Sequence, residues 1–152
     1  MARPVVPDTT AFVDAIRRSR QPFFDAVLRG RVWLCAVVAC ELYAGTRSAD
    51  EARLVDRLVR GAADARRLLV PTATEWAQSG RLMARRVRTQ GALRPRDHLA
   101  DVLIVVSAAR VLGEVLTANR QHLELWAELA RRGGLDVTVA AVPLRPSDSS
   151  AG

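Results

Sequence analysis

Short apolar runs with a strand-like character alternate along this chain with longer stretches of helical period. Pro4 to Pro7 (PVVP) predicts a brief strand, followed by a helix from Thr10 to Ser19. A second helical stretch begins near Pro22, Arg31 to Cys35 reads as a strand, and Val37 to Ala44 as a helix. Ala49 to Arg67 is amphipathic: Leu54, Val55, Leu58, Val59 and Ala62 form the apolar stripe, while Glu51, Arg53, Asp56, Arg57 and Arg60 face water. A strand over Leu68–Val70 precedes Thr72-Ala-Thr-Glu75, a capping box that opens a helix whose apolar face should hold Trp76, Gly80, Met83 and Val87. His98 to Leu112 is apolar nearly all round and should be central. Glu114–Thr117 predicts a strand, Arg120–Arg131 a helix, and Val137–Val142 a last strand. Such alternation predicts an α/β fold, a mostly parallel sheet covered on both faces, with ligands gathering at the carboxyl ends of the strands.

No internal repeat or linker interrupts the pattern. One domain is expected over residues 1–143, with the Pro/Ser-rich stretch 144–152 (LRPSDSSAG) as a disordered tail. The length of 152 residues and the 49% hydrophobic content suit a single globular core. The longest apolar runs, Val32–Cys40 and Val102–Ala109, are far too short to span a membrane. Arg3, Pro4, Pro7 and Asp8 leave no room for a signal-peptide segment, so a cytoplasmic protein is expected. Cys35 and Cys40, the only cysteines, read as small reduced core residues.

Charge changes the picture. The net charge is +7, and all 23 basic residues are arginine. GC-rich codon usage accounts for such a bias, yet arginine is also the side chain best shaped for phosphate. A basic surface around an acidic pocket suits an enzyme that cuts nucleic acid. The absence of lysine excludes a P-loop and a Schiff-base enzyme.

Three carboxylates stand alone in apolar runs: Asp8 in VVPDTTAFV, Glu41 in WLCAVVACELYAG and Asp101 in HLADVLIVVSAA. An unpaired buried carboxylate costs several kcal/mol, so three of them suggest a shared ligand, most simply a divalent metal ion. Other roles are open to each. Asp8 could cap the helix that follows it, and Glu41 and Asp101 could pair with arginines in the core. Asp97 is the better capping candidate of its helix, which leaves Asp101 without a structural task.

Four segments, in order, resemble the PIN-domain proteins of the VapC toxin type: VVPDTTAFVD with its D-T-[NST] signature, LCAVVACELYAG ending in A-E-L, DVLIVVSAA, and VLTANRQHL with the T-x-[ND]-x-x-[DH]-[FL] pattern. The resemblance covers nearly the whole chain. It implies a single PIN-like domain, a mostly parallel sheet of four to five strands flanked by helices, and a metal-dependent endoribonuclease. Asp8, Glu41 and Asp101 fall on the family's acidic positions, and Asn119 stands at a fourth position that is often aspartate. Asp8 and Asp101 are the expected ligands of Mg²⁺ or Mn²⁺, ions that prefer oxygen donors. Asn119 puts a tightly held second metal in doubt, and it could instead cap the helix after it. His122 is expected beside the ligands or on the surface. Thr10 and Thr117 would hold metal-bound water or orient a carboxylate, unless they are ordinary turn residues. Arg120 is the expected phosphate contact.

By the same resemblance the chain would be the toxin of a toxin–antitoxin pair, held inactive by a VapB-type antitoxin whose arm lies beside the amphipathic helices. RNA would be its substrate and a homodimer its form, with no membrane involved. A catalytically weakened PIN-fold interaction protein that binds an antitoxin-like partner is the alternative, favoured by Asn119. A haloacid-dehalogenase-type phosphotransferase is set aside: it needs an aspartate where Thr10 stands, and a lysine.

Overall fold

The computed structural model describes residues 2–142, so the expected tail at 144–152 lies outside the described residues. The elements follow the order read from the sequence. They are β1 (Val5–Pro7), α1 (Thr9–Arg17), α2 (Gln21–Leu28), β2 (Leu34–Cys35), α3 (Ala36–Ala44) and α4 (Ala49–Asp64). After these come β3 (Leu68–Leu69), α5 (Ala73–Gln90), α6 (Pro95–Arg110), β4 (Glu114–Thr117), α7 (Arg120–Arg132) and β5 (Thr138–Ala141).

Every strand pair is parallel, as crossover helices require. The central sheet has three strands, ordered β1-β4-β5, rather than four to five; β2 and β3 form a separate pair. A single bridge between Val5 and Val32 joins the two, with the Trp33 amide donating to the Val5 carbonyl at 2.9 Å. The strands are too short, two residues each in β2 and β3, to carry the ladder further.

Helix α6 is the central one: Val102 through Ala109 are all buried. It packs against α5, α7, α3 and β4, and the same core takes in Val6 and Val115 from the sheet, Phe12 from α1, Leu58 from α4, and Leu123 and Trp126 from α7. The stripe on α4 is as expected, with Val55, Leu58 and Ala62 buried. The capping box also forms, Thr72 accepting from the Glu75 amide and Glu75 from the Thr72 amide.

The face of α5 is a correction. Its buried residues are Glu75, Ser79 and Leu82, while Trp76 is 49% and Val87 41% exposed. The hydrophobic period alone picked the wrong side, because Glu75 is drawn inward by Arg110, whose Nε lies 3.2 Å from its carboxylate. Of the expected stripe, Trp76, Gly80 and Val87 form an outer edge, while Met83 packs against the core. Cys40 is a second correction: Cys35 is buried but Cys40 is exposed. Among the described residues no helix is long and apolar enough to cross a membrane.

Packing separates two otherwise similar truncations. Leu58→Ala, at a fully buried position, should cost about 2–5 kcal/mol in urea unfolding. Trp76→Ala should cost about 0.5 kcal/mol or less, although it removes the larger side chain. A large loss at Trp76 would restore it to the core.

Candidate functional site

The carboxyl ends of β1 and β4 lie side by side, and Asp8 follows β1 directly. Its amide extends the ladder, donating to the Leu116 carbonyl at 2.8 Å. Its side chain is nearly inaccessible, with 3% exposure, and caps α1. Oδ1 accepts from the Ala11 amide at 2.9 Å and from the Thr10 hydroxyl at 2.7 Å, while Oδ2 accepts from the Thr117 hydroxyl at 2.6 Å. The capping role and the site role therefore coincide in one residue.

The two hydroxyls are fully used. Thr10 Oγ1 accepts from the Ala118 amide at 2.9 Å, and Thr117 Oγ1 accepts from the Asn119 amide at 3.0 Å. Each threonine gives its one proton to Asp8 and takes one from the turn after β4. Both orient the carboxylate, and Thr117 is wholly buried in doing so. Hydrogen bonds to a charged group are worth about 1.5–3 kcal/mol each, so three of them offset much of the cost of burying Asp8.

Asp101 projects from the second turn of α6, with its side chain 26% exposed. His122 on α7 holds it, Nε2 lying 2.8 Å from Oδ2. Burial pushes the Asp101 carboxyl above its ordinary range. The His122 charge and hydrogen bond pull it back, the charge of Asp8 pushes it up again, and His98 pulls it down. Asp8 and Asp101 thus sense each other across the strand ends. His122, placed beside the ligands or on the surface by sequence reasoning, proves to be the direct partner of Asp101. Its ring stacks on His98, centroids 6.0 Å apart, and His98 in turn packs on Trp126 at 5.5 Å.

Glu41 departs from expectation: it is exposed, on the outer face of α3, whose buried residues are Val38, Ala39 and Leu42. Asp8 is thus buried as expected, Asp101 only partly, and Glu41 not at all. Glu41 nevertheless stays near the strand ends, since the Thr9 hydroxyl beside Asp8 donates to its Oε2. Sequence reasoning passed over Thr9; the doubled threonine after Asp8 was the available signal. Asn119 occupies the N-cap position of α7 but its side chain makes no capping bond, contrary to the capping alternative. Asn119 and Arg120 are both exposed. Helix α6 begins at Pro95 after Arg94, so Asp97 lies in its first turn rather than at its cap.

None of Asp8, Glu41 or Asp101 pairs with an arginine among the described residues, in a chain that holds 23 of them. The core ion pairs offered as the alternative for Glu41 and Asp101 are absent there. Positive polarity comes instead from helix N-termini, since Asp8 caps α1 and Asn119 precedes α7. Among the described residues, no three Asp, Glu, His or Cys side chains converge closely enough to close a metal cage unaided. Beside the site, α1, α3 and α4 enclose a groove of about 260 Å³, lined by Val13, Ile16, Leu42 and Val55 and rimmed by Arg17 and Glu41.

Residues 5–128 match the PIN domain family. No curated protein matches the sequence. Among solved structures, the chain is similar to DNA-bound VapBC from Salmonella typhimurium, with a TM-score of 0.62 and 18% identity, covering 93% of this chain and 98% of that one. It is also similar to FitAB bound to an IR36 DNA fragment, with a TM-score of 0.59 and 16% identity, covering 93% and 99%. At these identities the likeness is one of fold.

The upward shift of Asp101 has a defined sign. A carboxyl that holds its proton more tightly when folded favours the fold below its unfolded pKa, and that contribution is lost as pH rises through the folded value. The Asp101→Asn protein, free of metal, should therefore gain in urea midpoint relative to wild type as pH is raised from acid to neutral. In His122→Ala the Asp101 carboxyl should titrate higher still by NMR, and a downward move would refute the pairing.

Proposed function

The chain belongs to the PIN domain family, and from that membership we propose that it is a metal-dependent endoribonuclease, the toxin of a VapBC-type toxin–antitoxin pair. One observation supports the reading: the buried Asp8 and the partly buried Asp101 lie within electrostatic reach of each other and neither is paired with an arginine among the described residues, in a chain of net charge +7. A missing cation is the simplest complement to such a cluster.

The donors suit Mg²⁺ or Mn²⁺. They are oxygens, and Mg²⁺ is commonly held by one or two carboxylates while keeping several waters, so no closed cage is needed. Asp8 and Asp101 would hold the ion. When bound, such an ion supplies charge stabilisation at phosphorus and a water that is easier to deprotonate. The chain's own residues do the rest. Thr10 and Thr117 fix the Asp8 carboxylate in one orientation, so little reorganisation is left for the reaction. His122 fixes Asp101 in the same way. Glu41, exposed and tied to Thr9, would take a proton from water at the rim. Asn119 leaves its amide group open to substrate, and Arg120 at the start of α7 offers a guanidinium to phosphate.

The antitoxin fits the groove between α1, α3 and α4. Its wall is apolar and its rim reaches Glu41, so a bound peptide arm could set an arginine against the acids. That would supply from the partner the cation this chain withholds. A homodimer would cover the exposed edge of Trp76 and Val87.

A second reading, an inactive PIN-fold interaction protein, draws on Asn119, which carries no charge at the fourth position. Two measurements separate the readings. Purified protein with Mg²⁺ or Mn²⁺ should cleave a structured RNA, EDTA should stop it, and Asp8→Asn or Asp101→Asn should each lower the rate about 100-fold or more. Calorimetric titration with Mn²⁺ should give heat with wild type and none with Asp8→Asn. Full cleavage by a folded Asp8→Asn protein would end the enzyme reading; a folded wild type with no heat and no cleavage would establish the inactive one.

A further inference from the structure

The chain's positive charge is not spread evenly. Residues 81–96 hold six arginines and no acid: Arg81, Arg85, Arg86, Arg88, Arg94 and Arg96. The remaining 136 residues hold 17 arginines and 16 acids, a net of +1. One stretch covering the second half of α5 and the turn into α6 thus carries +6 of the +7. Elsewhere acids are interspersed among the arginines, as on α7, where Arg131 and Arg132 pair with Glu124 and Glu128. Residues 81–96 contain no acid at all. Among the described residues Arg81, Arg85, Arg86, Arg88 and Arg94 form no salt bridge, and Arg96 only touches the exposed Asp97 at 3.8 Å. Like charges this dense repel one another, and a protein that holds them together without counter-charges is suited to a polyanion.

We propose that residues 81–96 form a track for the RNA backbone, leading the strand to the acidic site. Continuity with that site favours RNA. Arg94 immediately precedes α6, and Asp101 lies seven residues on, about 10 Å along the helix axis. The N-terminus of α6 adds its own positive polarity to the same end. A lipid surface would suit the exposed Trp76 and Val87 of the same helix, but it has no link to the acidic site, toward which the start of α6 runs. Most of these side chains are exposed, with Arg85 and Arg86 half-buried. The inference rests on the ribonuclease reading and adds to it where the substrate runs. It adds phosphate contacts to the one proposed for Arg120.

The test is binding of a fluorescein-labelled 20-nucleotide RNA, followed by anisotropy in EDTA so that no strand is cut, across a salt series. Arg81→Gln/Arg88→Gln/Arg94→Gln replaces three exposed side chains, so the fold should persist by circular dichroism. Each lost phosphate contact lowers the slope of log K against log salt by about 0.7, so the triple variant should lose about 2 in slope and on the order of 100-fold in affinity near 0.1 M salt. Arg29→Gln/Arg57→Gln/Arg60→Gln removes the same charge from other exposed positions and should bind nearly as wild type. Equal losses in both triples, or unchanged RNA affinity in the first, would overturn the track. So would a first triple that loses binding to phosphatidylserine vesicles while keeping RNA. If wild-type protein binds no RNA at any salt, the ribonuclease reading itself fails, a result distinct from the others.

Discussion

The buried carboxylate of Asp8 is the constraint around which the rest is arranged. A charge with 3% exposure is tolerable only when its oxygens are occupied, and three donors occupy them. Two of those donors, Thr10 and Thr117, come from segments 107 residues apart in sequence and meet only because β1 and β4 are parallel neighbours. The clamp therefore ties the sheet register to the chemistry. A one-residue slip would turn Thr117 to the opposite face and leave Asp8 without its second oxygen's partner.

The same constraint explains where charge is withheld. Burial, and to a lesser degree the charge of Asp8, push the Asp101 carboxyl up, an arrangement that costs stability in the absence of a cation. An arginine would have relieved the strain, and the chain has arginines in abundance. It uses His122, a smaller and weaker partner, and sends its densest run of guanidinium groups to residues 81–96. Acid inside and base alongside is the layout that the proposed ribonuclease would need, to draw in a polyanion and hold one phosphate near a cation.

Much of this was legible in the sequence. Element order, the capping box at Thr72 and the central place of α6 all follow from local period and turn chemistry. Asp8 and Asp101 stood out because acids in apolar runs demand a reason. What failed did so where tertiary packing overrode local pattern. Trp76 and Val87 looked like core, but α5 turns Glu75, paired with Arg110, inward and leaves them facing outward. Glu41 looked buried because α3 is apolar on every side; a short helix with no polar face gives no clue to its orientation. The bond between His122 and Asp101 joins residues 21 apart on different helices, and no periodicity reports that. The sheet was overcounted because two-residue strands are long enough to read but too short to extend the ladder.

The most direct measurement of the central claim is the anomalous scattering of crystals grown with MnCl₂. A peak bonded to carboxylate oxygens of Asp8 and Asp101, with Thr10 and Thr117 still donating to Asp8, is the predicted result. Crystals in which Mn²⁺ is seen elsewhere while those two carboxylates bind none would contradict it.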